Sequence, residues 1–193
     1  MKKRVPIALI LGCCLLICSF CLFAFAQIRI YRALVKAEDV VRKIEELLPK
    51  RIGGVAGSVS DSAMPVLEMG KEDYIALVEV PGFGVTLPVC SSWDVGKLSG
   101  SPCRFWGSVY DNSLVIGGSD QKGQFDFCDR INPGAVITVT ALNGEEFKYQ
   151  VARVDRAKHA KAEWLMEETY DLTLFVRAAY SLEYIAVRCS ALY

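Results

Sequence analysis

The chain opens on one unbroken apolar run. Ile7–Ala26 holds 20 residues without a charge, long enough as a helix to span the hydrocarbon core of a bilayer. The pattern then turns to helical spacing. Over Gln27–Lys50, Ile30, Leu34, Val41, Ile44 and Leu48 fall near one face, with Val40 and Leu47 beside them. Glu38, Asp39, Glu45 and Glu46 face elsewhere, among basic residues, and Pro49 ends the pattern. This predicts a stalk helix that continues the apolar one, either docked on the following domain or pairing as a dimerising coil. The apolar pattern itself, Ile30–Leu48, is 19 residues and falls short of three heptads, which favours the stalk. Ile52–Met69 contains Gly53-Gly54, Gly57-Ser58, Ser60 and Pro65. It predicts a flexible linker, with the domain boundary near Gly70.

From Lys71 the pattern shortens to strand-length apolar runs between turn residues, as in an all-β barrel or sandwich. Tyr74–Val80 and Val85–Cys90 flank Pro81-Gly82, and Leu114–Gly117 follows. Ala135–Thr140 and Glu146–Asp155 flank Asn143-Gly144, the strongest hairpin signal in the chain. Leu172–Val176 and Tyr184–Val187 form a closing hairpin. Short helices are expected over Trp93–Leu98 and Ala160–Thr169, a helical turn over Gln124–Ile131, and a turn at Asn132-Pro133-Gly134. The chain thus divides into a flank and membrane anchor (1–26), a stalk helix and linker (27–70) and a β-domain (71–193).

Charge adds an orientation. The 22 basic and 22 acidic residues cancel. Lys2, Lys3 and Arg4 precede the apolar run, so beyond Ala26 there are 22 − 3 = 19 basic and 22 acidic residues, a net −3. A mildly acidic domain argues against nucleic acid as a partner. The basic flank places the N-terminus in the cytoplasm and the rest outside. Ala24-Phe25-Ala26 offers the end of a cleaved signal peptide as the rival reading, but the apolar run exceeds the usual signal core of about 7–15 residues. Of eight cysteines, Cys13, Cys14, Cys18 and Cys21 lie in the apolar run. Cys90, Cys103, Cys128 and Cys189 show no metal-binding spacing, so neither a zinc site nor a cofactor is expected. An outside location permits disulfides, but spacing alone does not reveal the pairing.

The stretch Asp171–Cys189, DLTLFVRAAYSLEYIAVRC, resembles the C-terminal hairpin of sortases, the cysteine transpeptidases of Gram-positive cell surfaces. In that family a TLxTC strand end carries the nucleophilic Cys and an Arg sits on the next strand. Here Thr173-Leu174-Phe175 matches, Val176 stands where Thr is usual, and Arg177 stands at the Cys position. Arg188 matches the family Arg. The family's catalytic His sits in a GHN-like motif after an apolar strand. This chain reads Leu114-Val115-Ile116-Gly117-Gly118-Ser119-Asp120, with Ser119 at the His position and Asp120 where Asn is frequent. The LPV at Leu87, the WDVGKLSGSP stretch, INPG and the Asn-Gly hairpin complete an ordered set from roughly Tyr74 to Cys189. The resemblance implies a closed, mostly antiparallel eight-stranded β-barrel with short helices. It also implies a single-pass plasma-membrane protein with an extracellular barrel.

A sortase cuts a sorting-signal peptide, typically LPxTG-like, between Thr and Gly. The Cys thiolate attacks the carbonyl, the His protonates the leaving amine, and the Arg steadies the oxyanion or positions the peptide. Arg177 cannot attack, because a guanidinium stays protonated. Ser119 is a poor proton shuttle at neutral pH. No Cys lies within 170–188, so a shift of register restores no nucleophile. Cys189 should face away from Arg188 by strand alternation and read as a buried thiol. His159, between lysines, reads as a surface residue, and Trp164 and Leu165 as packing residues. Two cations in one groove, Arg177 and Arg188, would call for an anion such as Asp120; alternatively Arg177 points to solvent. Three readings follow. One is an inactive sortase-like protein that binds a sorting-signal peptide, a pilin or an active sortase. Another is an enzyme using atypical residues, and the third is a purely structural barrel.

Overall fold

The computed structural model describes residues 7–48 and 64–193. The basic flank at Met1–Arg4, Pro49 and most of the Gly/Ser-rich stretch lie outside the described residues. One helix, α1, runs unbroken over Ile7–Leu47. Its Leu11–Arg29 portion has a mean hydropathy of 2.3, and none of it is buried. That portion is long and apolar enough to cross a membrane. Further along, Val40, Val41 and Ile44 are buried against Tyr74, Leu77, Cys90 and Cys103. Val41, Ile44 and Leu48 of the helical stripe, with Val40 beside them, therefore lie on the face that docks, whereas Leu47 is exposed.

The domain strands are β1 (Leu67–Met69), β2 (Glu72–Val80), β3 (Val85–Cys90), β4 (Cys103–Trp106), β5 (Leu114–Ser119), β6 (Val136–Ala141), β7 (Glu146–Ala157), β8 (Leu172–Arg177) and β9 (Tyr184–Ala191). They form one sheet in the order β1-β2-β3-β4-β5-β8-β9-β7-β6, and a β2–β6 pairing closes it. Eight strands make the barrel, with β1 as an added edge on β2. Strand pairing thus begins at Leu67, inside the stretch read as linker. Among the described strands only β3–β4 and β5–β8 run parallel. The barrel core is built from Ile75, Val78, Val89, Leu114, Ile116, Phe125, Ile137, Val139, Leu174 and Val187, among others. Tyr74–Val78 is buried throughout because β2 lies between that core and α1, so it reads as a continuous apolar run.

The turn chemistry matches its residues. In the β6–β7 hairpin Gly144 takes φ 82°, a left-handed conformation that glycine adopts without steric cost. The short helix expected at Ala160–Thr169 contracts to α2, Ala162–Leu165. Trp93–Leu98 is not helical. Asp94 Oδ1 accepts the Gly96 N–H at 2.8 Å, and two further turns follow, Lys97 N to Asp94 O and Gly100 N to Lys97 O. An aspartate that bonds its own backbone two residues on, followed by two glycines, favours turns over helix. β4 was not anticipated. It is four residues long and kinked by a bulge between Arg104 and Trp106, so no alternation marks it.

Candidate functional site

β5, β8 and β9 lie side by side, and their register sets three rows of outward side chains. Ser119 pairs with Arg177 and Arg177 with Tyr184, which makes the top row. Gly117, Phe175 and Ala186 make the second row, and Val115, Thr173 and Arg188 the third. Alternate residues of the same strands, such as Ile116, Leu174 and Val187, point into the core.

At the top row Ser119 is half-buried and Arg177 is exposed. The Arg177 guanidinium lies 5.9 Å from the centre of the Tyr184 ring, within reach of a cation–π attraction. No carboxylate pairs with Arg177 among the described residues. Asp120 Oδ2 instead accepts the Ala179 N–H at 2.8 Å. Asp120 thereby fastens the loop between β8 and β9 rather than serving a guanidinium.

The second row is covered by the protein's own aromatic side chains. Trp93 sits 5.2 Å from Phe105 and 5.5 Å from Phe175, centre to centre, and Phe105 lies edge-on to Phe175 at 5.4 Å. Gly117 makes room for them. A Cβ there would fall 2.3 Å from the Trp93 ring and 2.6 Å from Phe175.

Arg188 occupies the third row, beneath α2, and is fully buried. Its Nη1 donates to Thr173 Oγ1 at 3.1 Å and to the Leu165 carbonyl at 3.0 Å. Its Nη2 donates to the Trp164 carbonyl, and the Trp164 ring lies 4.8 Å from its guanidinium carbon. Asp155 at 3.4 Å and Glu167 at 3.7 Å supply the countercharge. A buried guanidinium is tolerated when it is paired and its N–H groups are bonded, and here its partners tie α2 to the sheet.

The sequence reading grouped Ser119, Arg177 and Arg188 in one groove. The register brings Ser119 and Arg177 side by side, but Arg188 pairs with Thr173, four positions before Arg177. At about 3.3 Å per residue that is ~13 Å along the strand. The neighbour of Arg177 is Tyr184, which the sequence reading passed over. The signal was available: counting outward from the 178–183 loop pairs Arg177 with Tyr184.

The remaining candidates separate. Cys189 is buried on the core face, opposite Arg188, and burial pushes its thiol well above the usual range. Burial does the same at Cys128. His159 is exposed. Leu165 is buried against Val115, Phe175 and Ala186, with Trp164 packed beside them. No group of three or more potential metal ligands occurs among the described residues. A cavity of about 580 Å³ lies away from the rows, between α1 and the Phe83–Leu87 and Lys122–Arg130 segments. A second, of about 350 Å³, reaches Val115 in the third row from the side of Trp106, Met166 and Tyr170.

A closed barrel with this strand order, and a parallel β5–β8 pair whose two ends meet at Ser119 and Arg177, defines a class of protein. The barrel is the sortase fold. Sortase A from Corynebacterium diphtheriae superposes with a TM-score of 0.55 at 19% identity, covering 64% of this chain and 62% of that one. Sortase C from Clostridium perfringens SM101 gives 0.55 at 18% identity, covering 63% and 71%. Sortase C1 from Streptococcus agalactiae gives 0.53 at 22%, covering 61% and 67%. The chain thus spans less than two thirds of the length of the Corynebacterium protein. No protein-family model matches the sequence, and no curated protein does.

Proposed function

We propose that this chain is a single-pass plasma-membrane protein, with a cytoplasmic N-terminus and an extracellular sortase-fold barrel, that binds a partner without performing acyl transfer. Residues 1–26 serve as flank and anchor, 27–70 as stalk and linker, and 71–193 as the barrel. The partner is an LPxTG-like sorting-signal peptide, a pilin or an active sortase, and it presents a carboxylate to Arg177. The observation that carries this reading is the top row itself. Ser119, Arg177 and Tyr184 stand together there, and none of the three is a nucleophile–base pair suited to attack an amide at neutral pH. An exposed guanidinium without an acidic partner among the described residues favours binding of an anionic group. Trp93 over Gly117 supports the same reading, since the space below the row is already filled.

The test uses the full chain in detergent or nanodiscs, an LPxTG-like peptide, a purified pilin, an active sortase and an amine nucleophile. Saturable binding of one of the three without turnover is expected, weakened by Arg177→Glu. Thiol-sensitive cleavage of the peptide would overturn it and favour an enzyme with atypical residues. Binding to none of the three would leave a structural barrel. Protease added to intact cells should remove the barrel; complete protection would reverse the orientation.

A further inference from the structure

The seam between β3 and β4 is held by one registered pair, Cys90 with Cys103. The adjoining β2–β3 and β4–β5 ladders carry six and three such pairs. The seam pair is flanked by the Cys90 N–H bond to the Pro102 carbonyl at 2.9 Å. Both cysteines are buried, at 2% and 0% exposure, and the α1 side chains Val40, Val41 and Ile44 close over them. Both are free thiols in this structure, and the Cys103 thiol donates to the Ser101 carbonyl at 3.7 Å and the Asp94 carbonyl at 3.8 Å. Neighbouring strands lie about 4.8 Å apart, within the ~4.4–6.8 Å Cα separation that disulfides span.

We propose that Cys90 and Cys103 are joined by a disulfide in the mature protein, closing the β3–β4 seam covalently and pinning both ends of the 91–102 segment. The proposal rests on the extracellular location given above, which supplies an oxidising compartment. The segment between the two cysteines carries Trp93, the residue over Gly117 and Phe175. A staple at its base holds that cover in place. Cys128 and Cys189 remain thiols: both are buried in the barrel core, apart from the seam, and Cys189 pairs with Val151 and Leu172 rather than with a cysteine.

The bond forms by exchange with a disulfide-bearing thiol oxidoreductase outside the cell. One cysteine thiolate attacks the oxidant's disulfide and expels one of its sulfurs. The second thiolate then displaces the other sulfur from the mixed disulfide. The protons of both cysteines pass to the oxidant, which leaves as a dithiol carrying the two electrons. The neighbouring Cys103 thiol, together with burial beneath α1, holds the Cys90 thiol well above the usual range. The exchange therefore takes place during folding, before α1 docks, and the finished bond resists reductants.

The experiment traps the full chain in cells that export it, by acid quench and alkylation under denaturing conditions, with and without prior reduction, followed by peptide mapping. The expected result is a cross-linked pair of peptides holding Cys90 and Cys103, alkylated only after reduction, with Cys128 and Cys189 alkylated in both samples. Purified full chain, reduced, denatured and refolded in a glutathione redox buffer, is the second arm. It should form the same bond, and reduction should lower the barrel's Tm by roughly 10 °C. Cys103→Ser should show the lower Tm with or without reductant, whereas Cys128→Ser should keep the cross-link. Free Cys90 and Cys103 after refolding in oxidised buffer would overturn the pairing. Free thiols in cells, with the bond forming on refolding and the barrel protected from external protease, would instead overturn the location.

Discussion

Trp93 lies where a side chain at position 117 would have to be: a Cβ on Gly117 would come within 2.3 Å of its ring. The glycine and the tryptophan therefore act as a pair. Gly117→Ala must displace Trp93 or spread β5 from the aromatic cluster. We expect a loss of about 1–3 kcal/mol by urea denaturation, with the Trp93 resonance shifted in fluorotryptophan NMR. An unchanged resonance would show that the ring does not rest there in solution.

The two arginines of the outer face should behave oppositely. Arg188→Met removes the cation facing Asp155 and Glu167 and leaves two α2 carbonyls without a donor. A loss of about 3–5 kcal/mol is expected, as for a broken buried ion pair. Arg177→Ala, at an exposed position, should stay within about 0.5 kcal/mol. Equal effects of the two substitutions in the same denaturation series would contradict the register.

Restoring chemistry should take more than two substitutions. Ser119→His with Arg177→Cys supplies a base and a thiol at adjacent strand ends, but leaves Tyr184 beside them and Trp93 below. We expect no peptide cleavage from that double variant, and detectable thiol-sensitive cleavage once Tyr184→Arg and Trp93→Ala are added. Turnover by the double variant alone would show that neither residue limits the site.

Glu79 on β2 gives the stability a pH dependence. Burial, followed by the nearby carboxylates of Glu45 on α1 and Glu146 on β7, raises its pKa above the ordinary 4.5. The folded protein thus holds this proton more tightly than the unfolded chain. Its contribution is fully present below about pH 4.5 and is lost as pH rises through the raised value. Glu79→Gln should raise the Tm at pH 7 and flatten this part of the pH profile. A lower Tm at pH 7 for Glu79→Gln would reverse the sign of the argument.

Much of the barrel was legible because its strands are apolar runs bounded by turn residues. Val85–Cys90 and the two closing strands fall where periodicity puts them. β4 was hidden by its bulge and length, and β1 by lying in a stretch that reads as linker. Trp93–Leu98 read as helix because apolar spacing does not register a side chain that bonds its own backbone. At the site, motif matching singles out Ser119 and Arg177, and the register sets the two side by side. It groups Arg188 with them, whereas Arg188 pairs with Thr173 and Arg177 with Tyr184, because the partner of Arg177 depends on counting across a loop. The aromatic cover over Gly117 joins residues from three separate segments, which no local pattern encodes.

The unbroken course of α1 has a mechanical consequence. From Arg29, where the membrane-length window ends, to Ala37, buried on the docked face, the helix rises about 12 Å at 1.5 Å per residue. With α1 spanning the bilayer as proposed, the barrel is mounted on a stiff post just above the lipid headgroups and does not swing on a string. Its height and tilt are inherited from the helix, so Arg177 sweeps a thin layer parallel to the membrane. Partners that meet it there are those confined to the same layer, themselves lipid-embedded or lying flat against the surface, and encounter becomes a search in two dimensions.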